Sequence, residues 1–172
     1  MSGVSITTSL CGSPRRPQAD ETLHGSKCEE NAGGKGANQA VAASRLEAEV
    51  TMIGCVGADS RGDYLLAELD AAGVDRDHVY RGDTATGTAL ITIDPEDVSI
   101  VVIAGANAEL DARRVELAAP EISSADVLLL QGEVGAEAAR TAALLAQRHP
   151  PRSYLTPRRS TKSLRGFSLL LT

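Results

Sequence analysis

Three glycines fall within four residues at Gly33-Gly34-Lys35-Gly36, and the chain then runs through Ala37-Asn38-Gln39-Ala40 into an alanine-rich stretch ending at Leu46. Glycines permit torsion angles and close backbone approaches that a Cβ forbids, so this stretch dictates a sharp turn opening a helix. The first N–H groups of such a helix have no partner inside it and lie at the positive end of its dipole. Bare backbone in front of them favours an anionic or oxygen-rich ligand. Asn38, in the first turn, adds an amide that both donates and accepts. The alternative is a plain glycine turn entering a helix. Lys35 reads equally as a cation that neutralises a phosphate or as an exposed residue beside the turn. Two familiar glycine motifs fail: a phosphate loop has Ser or Thr after Gly-Lys, where this chain has Gly36, and a dinucleotide fingerprint follows a strand, for which Cys28-Glu29-Glu30-Asn31 is poorly suited.

Around this turn the chain alternates strand and helix. Val50 to Val56 is a nearly continuous apolar run of strand length, the pattern of a strand covered on both faces. Asp59 to Ala72 reads as a helix with Tyr64, Leu65, Leu69 and Ala72 on its apolar stripe, Asp59 as its N-cap and Gly73 as its stop. Between Thr86 and Ile103 the texture becomes that of an antiparallel hairpin turning at Asp94-Pro95-Glu96-Asp97, a flap beside a site. Alternation then resumes with a short helix at Leu110–Leu117, a buried strand at Asp126–Gln131 and a helix at Ala136–Gln147. Strand and helix in this order define an α/β layer sandwich. Glu133 stands at the C-terminal end of a strand, where open α/β sheets bind ligands; it is a partner for a sugar or alcohol hydroxyl, or a solvated carboxylate in a loop.

Composition narrows the function classes. The net charge is -6 and aromatic residues are 2%, which argues against nucleic-acid partners. No apolar run reaches about 18 residues, so no membrane span is expected. Cys11, Cys28 and Cys55 are odd in number and lack metal spacing, which predicts reduced thiols and a cytoplasmic location. His24, His78 and His149 are scattered and read as surface residues, and no metal-binding residues are predicted.

Taken together, Gly33 to Ala40, Thr86-Gly87-Thr88-Ala89, Gly105-Ala106-Asn107 and Gln131-Gly132-Glu133 resemble, in order and spacing, the N-terminal half of the ribokinases of the pfkB carbohydrate-kinase family. The resemblance covers about Asp20 to His149. It implies a ribokinase-like three-layer α/β/α sandwich with a small β-sheet lid, its strands at about 21–32 and 84–104, truncated after the N-terminal half. It implies ATP-dependent phosphorylation of D-ribose at the 5-hydroxyl, with Mg2+ and a monovalent cation (K+), in a homodimer joined through the lid. The implied sugar contacts are Gly34, Lys35, Gly36, Ala37, Asn38 and Glu133. Another sugar or nucleoside kinase of the family, or a non-catalytic sugar-binding remnant, stands as the alternative.

Three departures qualify the likeness. Glu47 stands where the family usually has Gly just past the helix, so a left-handed residue with a side chain is expected there, at about 1 kcal/mol. The family's ATP-binding segments and its Gly-Ala-Gly-Asp motif, which carries the catalytic base, have no counterpart in the 172 residues; Val56-Gly57-Ala58-Asp59 matches a different family segment. The family's opening strand with its Asn and Asp sugar ligands is also missing. Residues 1–19 therefore read as a disrupted leader and 150–172 as an aberrant tail. Codons compatible with Ser2 to Ser13, read one base out of frame, spell Gly-Ser-Val-Asn-His-Asp-Leu-Thr-Val-Arg-Val, the missing motif. The same shift from Thr156 gives Pro-Ala-Pro-Val-Asp-Glu-Val-Pro. The hypothesis is a coding sequence with frame disruptions near both ends, and resequencing of the locus tests it.

Overall fold

The apolar run from Val50 to Val56 is predicted to lie between two layers, and the computed structural model, which describes residues 3, 5–147 and 152–156, places it there. The elements in chain order are β1 (Ile6–Gly12), β2 (Lys27–Gly33), α1 (Lys35–Ser44), β3 (Thr51–Gly57), α2 (Ser60–Ala71), β4 (Asp75–Gly82), β5 (Thr88–Ile93) and β6 (Val98–Ile103). A 3-10 turn at Gly105–Glu109 leads to α3 (Ala112–Leu117), α4 (Ala119–Ser124), β7 (Val127–Gln131), α5 (Ala136–Ala146) and β8 (Arg152–Thr156).

Successive side chains of a strand point to opposite faces, and β3 uses both. Met52 and Val56 pack with Ala37, Ala40, Leu65 and Leu69 of α1 and α2. Ile53 and Cys55 pack on the other side with Val115, Ile122, Ala138 and Ala142 of α3, α4 and α5. The result is the expected three-layer α/β/α sandwich. Its strands pair in parallel, β3 with β4 and β7 with β8. The Gly3 N–H donates to the Ile53 carbonyl at 3.1 Å, so the chain leaves the β3 edge just before it enters β1.

The second sheet is the lid, with strand order β2-β1-β5-β6. β1 lies at its centre, antiparallel to β2 and parallel to β5, and β5 and β6 form the expected hairpin. The hairpin turn is held by the Asp94 carboxylate, which accepts from the Glu96 and Asp97 N–H groups at 2.9 Å each. Register assigns the two faces, because directly opposed residues share one. One face carries Thr7, Cys11, Cys28, Glu30, Thr88, Leu90 and Val101, and the other carries Ile6, Thr8, Ala89, Ile91, Ile100 and Val102.

Several expectations are corrected. The first 19 residues are not a leader without regular structure, since Ile6–Gly12 is the central lid strand. Its small polar residues hide the alternation because neither lid face buries much apolar area there. The stretch 21–32 is a strand only from Lys27. The sequence does not show β4: Asp75-Arg76-Asp77-His78 is polar, and among the described residues this strand pairs with β3 alone. In α2 Leu66 is buried, whereas Tyr64 is 39% exposed. Arg152–Thr156 continues the sheet as β8 instead of breaking it; 157–172 and His149 lie outside the described residues. The three thiols are not all free, because Cys11 and Cys28, opposed across β1 and β2, form a disulfide. Glu47 does take the left-handed conformation, with φ 66°. Among the described residues no helix is long and apolar enough to cross a membrane.

Candidate sugar site at the start of α1

β2 ends at Gly33, and Gly34 caps α1 with φ 95°, a torsion that a side chain would strain. A Cβ on Gly33 would also come within 2.6 Å of Thr8 Oγ1. The glycine pair is therefore demanded twice, by torsion and by the close approach of β1. No side chain caps α1 and no acidic residue occupies its first turn, so its first N–H groups face the turn as expected.

Helical periodicity divides the candidate residues into two groups. Lys35 and Gln39, one turn apart, share a face, and both meet the loop end of β7. Lys35 forms an ion pair with Glu133, and the Gln131 amide donates to Gln39 Oε1. Gln131 is fully buried, and its Oε1 has no partner among the described residues. Asn38 lies roughly 60° round the helix from Lys35. It lines a separate open groove of about 490 Å³ between α1 and α2, with Gly33, Val41, Arg45, Leu65 and Glu68. Gly36 and Ala37 are buried against the sheet side of α1. The structure thus brings Lys35 and Glu133 together across 98 residues of sequence and seats Asn38 on the neighbouring face.

The lid overhangs this point. Val134, next to Glu133, packs against Ile6 and Ala89, as Ile91 also does, on the lid face that carries Ile100 and Val102. Polar side chains also tie the lid to the sandwich. Asn107, buried with 2% exposure, accepts from the Ser5 N–H and donates to the Ser5 and Ala104 carbonyls. Asp59 caps α2 by accepting from the Gly62 N–H, and also accepts from Thr86 N–H and Thr86 Oγ1 at the entry to β5. Burial pushes the Asp59 carboxyl up, but the Thr86 hydroxyl, the two N–H donors and the positive charge of Arg61 together outweigh it and hold the group below its ordinary value. Arg61, in the first turn of α2, reaches Glu30 and Thr88 of the lid.

Asp59 is engaged as a cap, in keeping with its sequence reading. The sequence signal for Asn107 is only its place in Gly105-Ala106-Asn107. Gln39 and Gln131 lay inside quoted motifs, and Arg61 carried no sequence signal. Among the described residues no group of three or more His, Cys, Asp or Glu side chains converges, so none is assigned to Mg2+ or K+. Burial pushes the Cys55 thiol up, as suits an inert core residue.

A three-layer α/β domain with a β lid set beside a helix N-terminus is, as a class, a lidded α/β domain of the ribokinase-like fold. The description "pfkB family carbohydrate kinase" matches residues 6–169. The chain belongs to the pfkB family of carbohydrate kinases. It is 43% identical to a ribokinase of Bacillus subtilis over 126 residues, covering 73% of this chain and 43% of that protein. It is 32% identical over 164 residues to a deoxyribokinase of Salmonella typhi, covering 94% of this chain and 54% of the relative. Among solved structures, a ribokinase from Arabidopsis thaliana complexed with ribose and ATP superposes with a TM-score of 0.77 at 26% identity, over 90% of this chain and 51% of the other. The chain thus spans about half the length of these relatives.

Proposed function

We propose that this chain forms the sugar-binding half of a kinase that transfers a phosphoryl group from ATP to the 5-hydroxyl of D-ribose, giving ribose 5-phosphate. The observation that carries the reading is the Lys35–Glu133 pair. Two motifs 98 residues apart meet at the mouth of the glycine turn and beneath the apolar lid face. A carboxylate accepts from two vicinal hydroxyls and an ammonium donates to a ring or hydroxyl oxygen, so the pair is suited to open around a furanose. Gly34, Gly36 and Ala37 offer backbone there, and Asn38 reaches the same turn from its other flank. Family membership supports ATP as the phosphoryl donor, and the reading extends to Mg2+, K+ and a homodimer joined through the lid. The catalytic base is assigned to none of the described residues, since the one acid in a similar tetrapeptide, Asp59, holds α2 and Thr86.

Calorimetric titration of the 172-residue chain with D-ribose, 2-deoxy-D-ribose and D-fructose tests this reading. Ribose is expected to bind most tightly, and Glu133→Gln to abolish the preference. Preference for 2-deoxyribose would shift the reading to the activity named for the Salmonella relative. Binding of none of the three would overturn it.

A further inference from the structure

Arg61 stands on the opposite side of the lid from the Lys35–Glu133 pair, and nothing in that site uses it. Its backbone is fixed by the N-cap, since Asp59 holds the N–H of the next residue, Gly62, at 2.8 Å. Its guanidinium reaches upward to two lid strands that are not neighbours. Nε donates to Glu30 Oε1 of β2 at 2.6 Å and Nη1 to Thr88 Oγ1 of β5 at 3.4 Å. β1 lies between those strands, so one side chain spans three strands of the sheet. Thr88 carries the contact inward, because its hydroxyl lies 3.4 Å from that of buried Thr7 and donates to the Thr86 carbonyl at 3.3 Å. The planar guanidinium fork suits two fixed acceptors in a way an ammonium does not.

The lid's other attachments gather where its strands begin: the Gly33-Gly34 turn, the Ser5–Asn107 clamp, the Thr86–Asp59 bonds and, on the opposite face, Val134 against Ile6 and Ala89. Arg61 instead grips Glu30, three residues up β2 from the turn. A sheet held along its base and released along one face tilts as a body. We propose that Arg61 is a positioning residue, a latch that sets the tilt of the lid and thereby the clearance of its Ile91–Ile100 face over Lys35 and Glu133. The inference rests on the sugar-site reading for its consequence in binding, but not for the latch itself.

The test therefore has two arms. In the ligand-free chain, hydrogen exchange is followed in Arg61→Ala, Arg61→Lys, Glu30→Gln and the double variant Arg61→Ala/Glu30→Gln. Amides of β2 and β1 in Arg61→Ala are expected to exchange between about two and five times faster, with those of α2 and α5 unchanged. The double variant is expected to add little to either single change, and Arg61→Lys to restore only part. In the second arm the same proteins are titrated with ribose, and Arg61→Ala is expected to weaken binding by a similar factor without altering the midpoint of thermal unfolding. Unchanged lid exchange overturns the latch whether or not ribose binds. Faster exchange spread evenly through α2 also overturns it, because Arg61 would then act on its own helix. If lid exchange rises while the parent chain binds no ribose, the latch stands and the sugar-site reading falls.

Discussion

Asn107 holds Ser5 by both of its backbone groups, accepting from the N–H at 3.1 Å and donating to the carbonyl at 2.9 Å. The amide thus replaces a strand for one residue, at the point where the chain passes from the β3 edge into the lid. All of this is buried. Asn107→Ala leaves two backbone groups unsatisfied in a site closed to water, and each such loss costs about 1–3 kcal/mol. A destabilisation of about 2–4 kcal/mol is expected in urea unfolding. Asn107→Asp, which sets a carboxylate oxygen against the Ser5 carbonyl in the same buried site, is expected to cost at least as much.

The Lys35–Glu133 pair calls for the opposite pattern. The two side chains are 46% and 21% exposed, and pairs this open contribute at most about 1 kcal/mol to stability. Glu133→Gln and Lys35→Met are therefore expected to leave the unfolding midpoint nearly unchanged. Ribose affinity, measured by calorimetry, is expected to fall at least about ten-fold in each, because a charged hydrogen-bonding partner contributes roughly 1.5–3 kcal/mol. A loss of stability equal to the loss of affinity would make the pair a structural brace.

Much of this arrangement is legible in the sequence, for reasons that differ from residue to residue. The β3 run and the α2 stripe at Leu65 and Leu69 are visible because buried faces impose apolar periodicity. Gly34 and Glu47 are visible because left-handed backbone has a sterically narrow set of occupants. β1 and β4 are not, since a strand with polar neighbours or a single partner needs no apolar alternation. Arg61 and Asn107 are invisible for another reason. Arg61 meets Thr88 27 residues away and Asn107 meets Ser5 102 residues away, and a polar side chain carries no mark of which distant segment it will meet.

Asp59 gives the lid anchor a pH dependence whose sign is determined. Its carboxyl is held below the ordinary value of 3.8 by the bonds from Thr86 and Gly62 and the positive charge of Arg61, which together overcome burial. The unfolded chain therefore takes up a proton at higher pH than the folded one. The resulting stabilisation is complete well above 3.8 and is lost as pH falls through the lower folded value. Acid titration at constant ionic strength is expected to loosen the Thr86-Gly87 turn, read by amide exchange, in parallel with a drop in the unfolding midpoint. Asp59→Asn is expected to cost about 1 kcal/mol at neutral pH and to flatten that part of the acid dependence.

Cys11 and Cys28 close a loop of sequence separation 17. Cross-linking such a loop restricts the unfolded chain by about 3 kcal/mol in the entropic account. Reduction, or Cys28→Ser, is expected to lower stability by up to about that amount and to speed exchange in β2. Cys55, buried with its thiol pushed up, is expected to resist alkylation until the chain unfolds. Thiol counting under native conditions is expected to find no reactive group before reduction and the Cys11 and Cys28 pair after it.

β6 is the outer strand of the lid and carries apolar side chains on both faces, with Ile100, Val101, Val102 and Ile103 all about half exposed. Opposite Val101 on β5, Leu90 is also exposed, so the patch continues across the hairpin. An unpaired strand edge beside contiguous apolar surface invites a second sheet. The proposed function includes a homodimer joined through the lid, and a second copy docked lid to lid would cover this patch. Sedimentation velocity of the parent chain is expected to show a concentration-dependent dimer. Ile100→Lys with Val101→Lys, one charge on each face, is expected to give a monomer of unchanged helix content. Val101 lies on the lid face away from Lys35 and Glu133, so ribose binding by the single variant Val101→Lys tests whether the site belongs to one chain. A parent chain that is monomeric at all concentrations would sink the lid-to-lid dimer, and a variant that stays dimeric would place the contact on another surface.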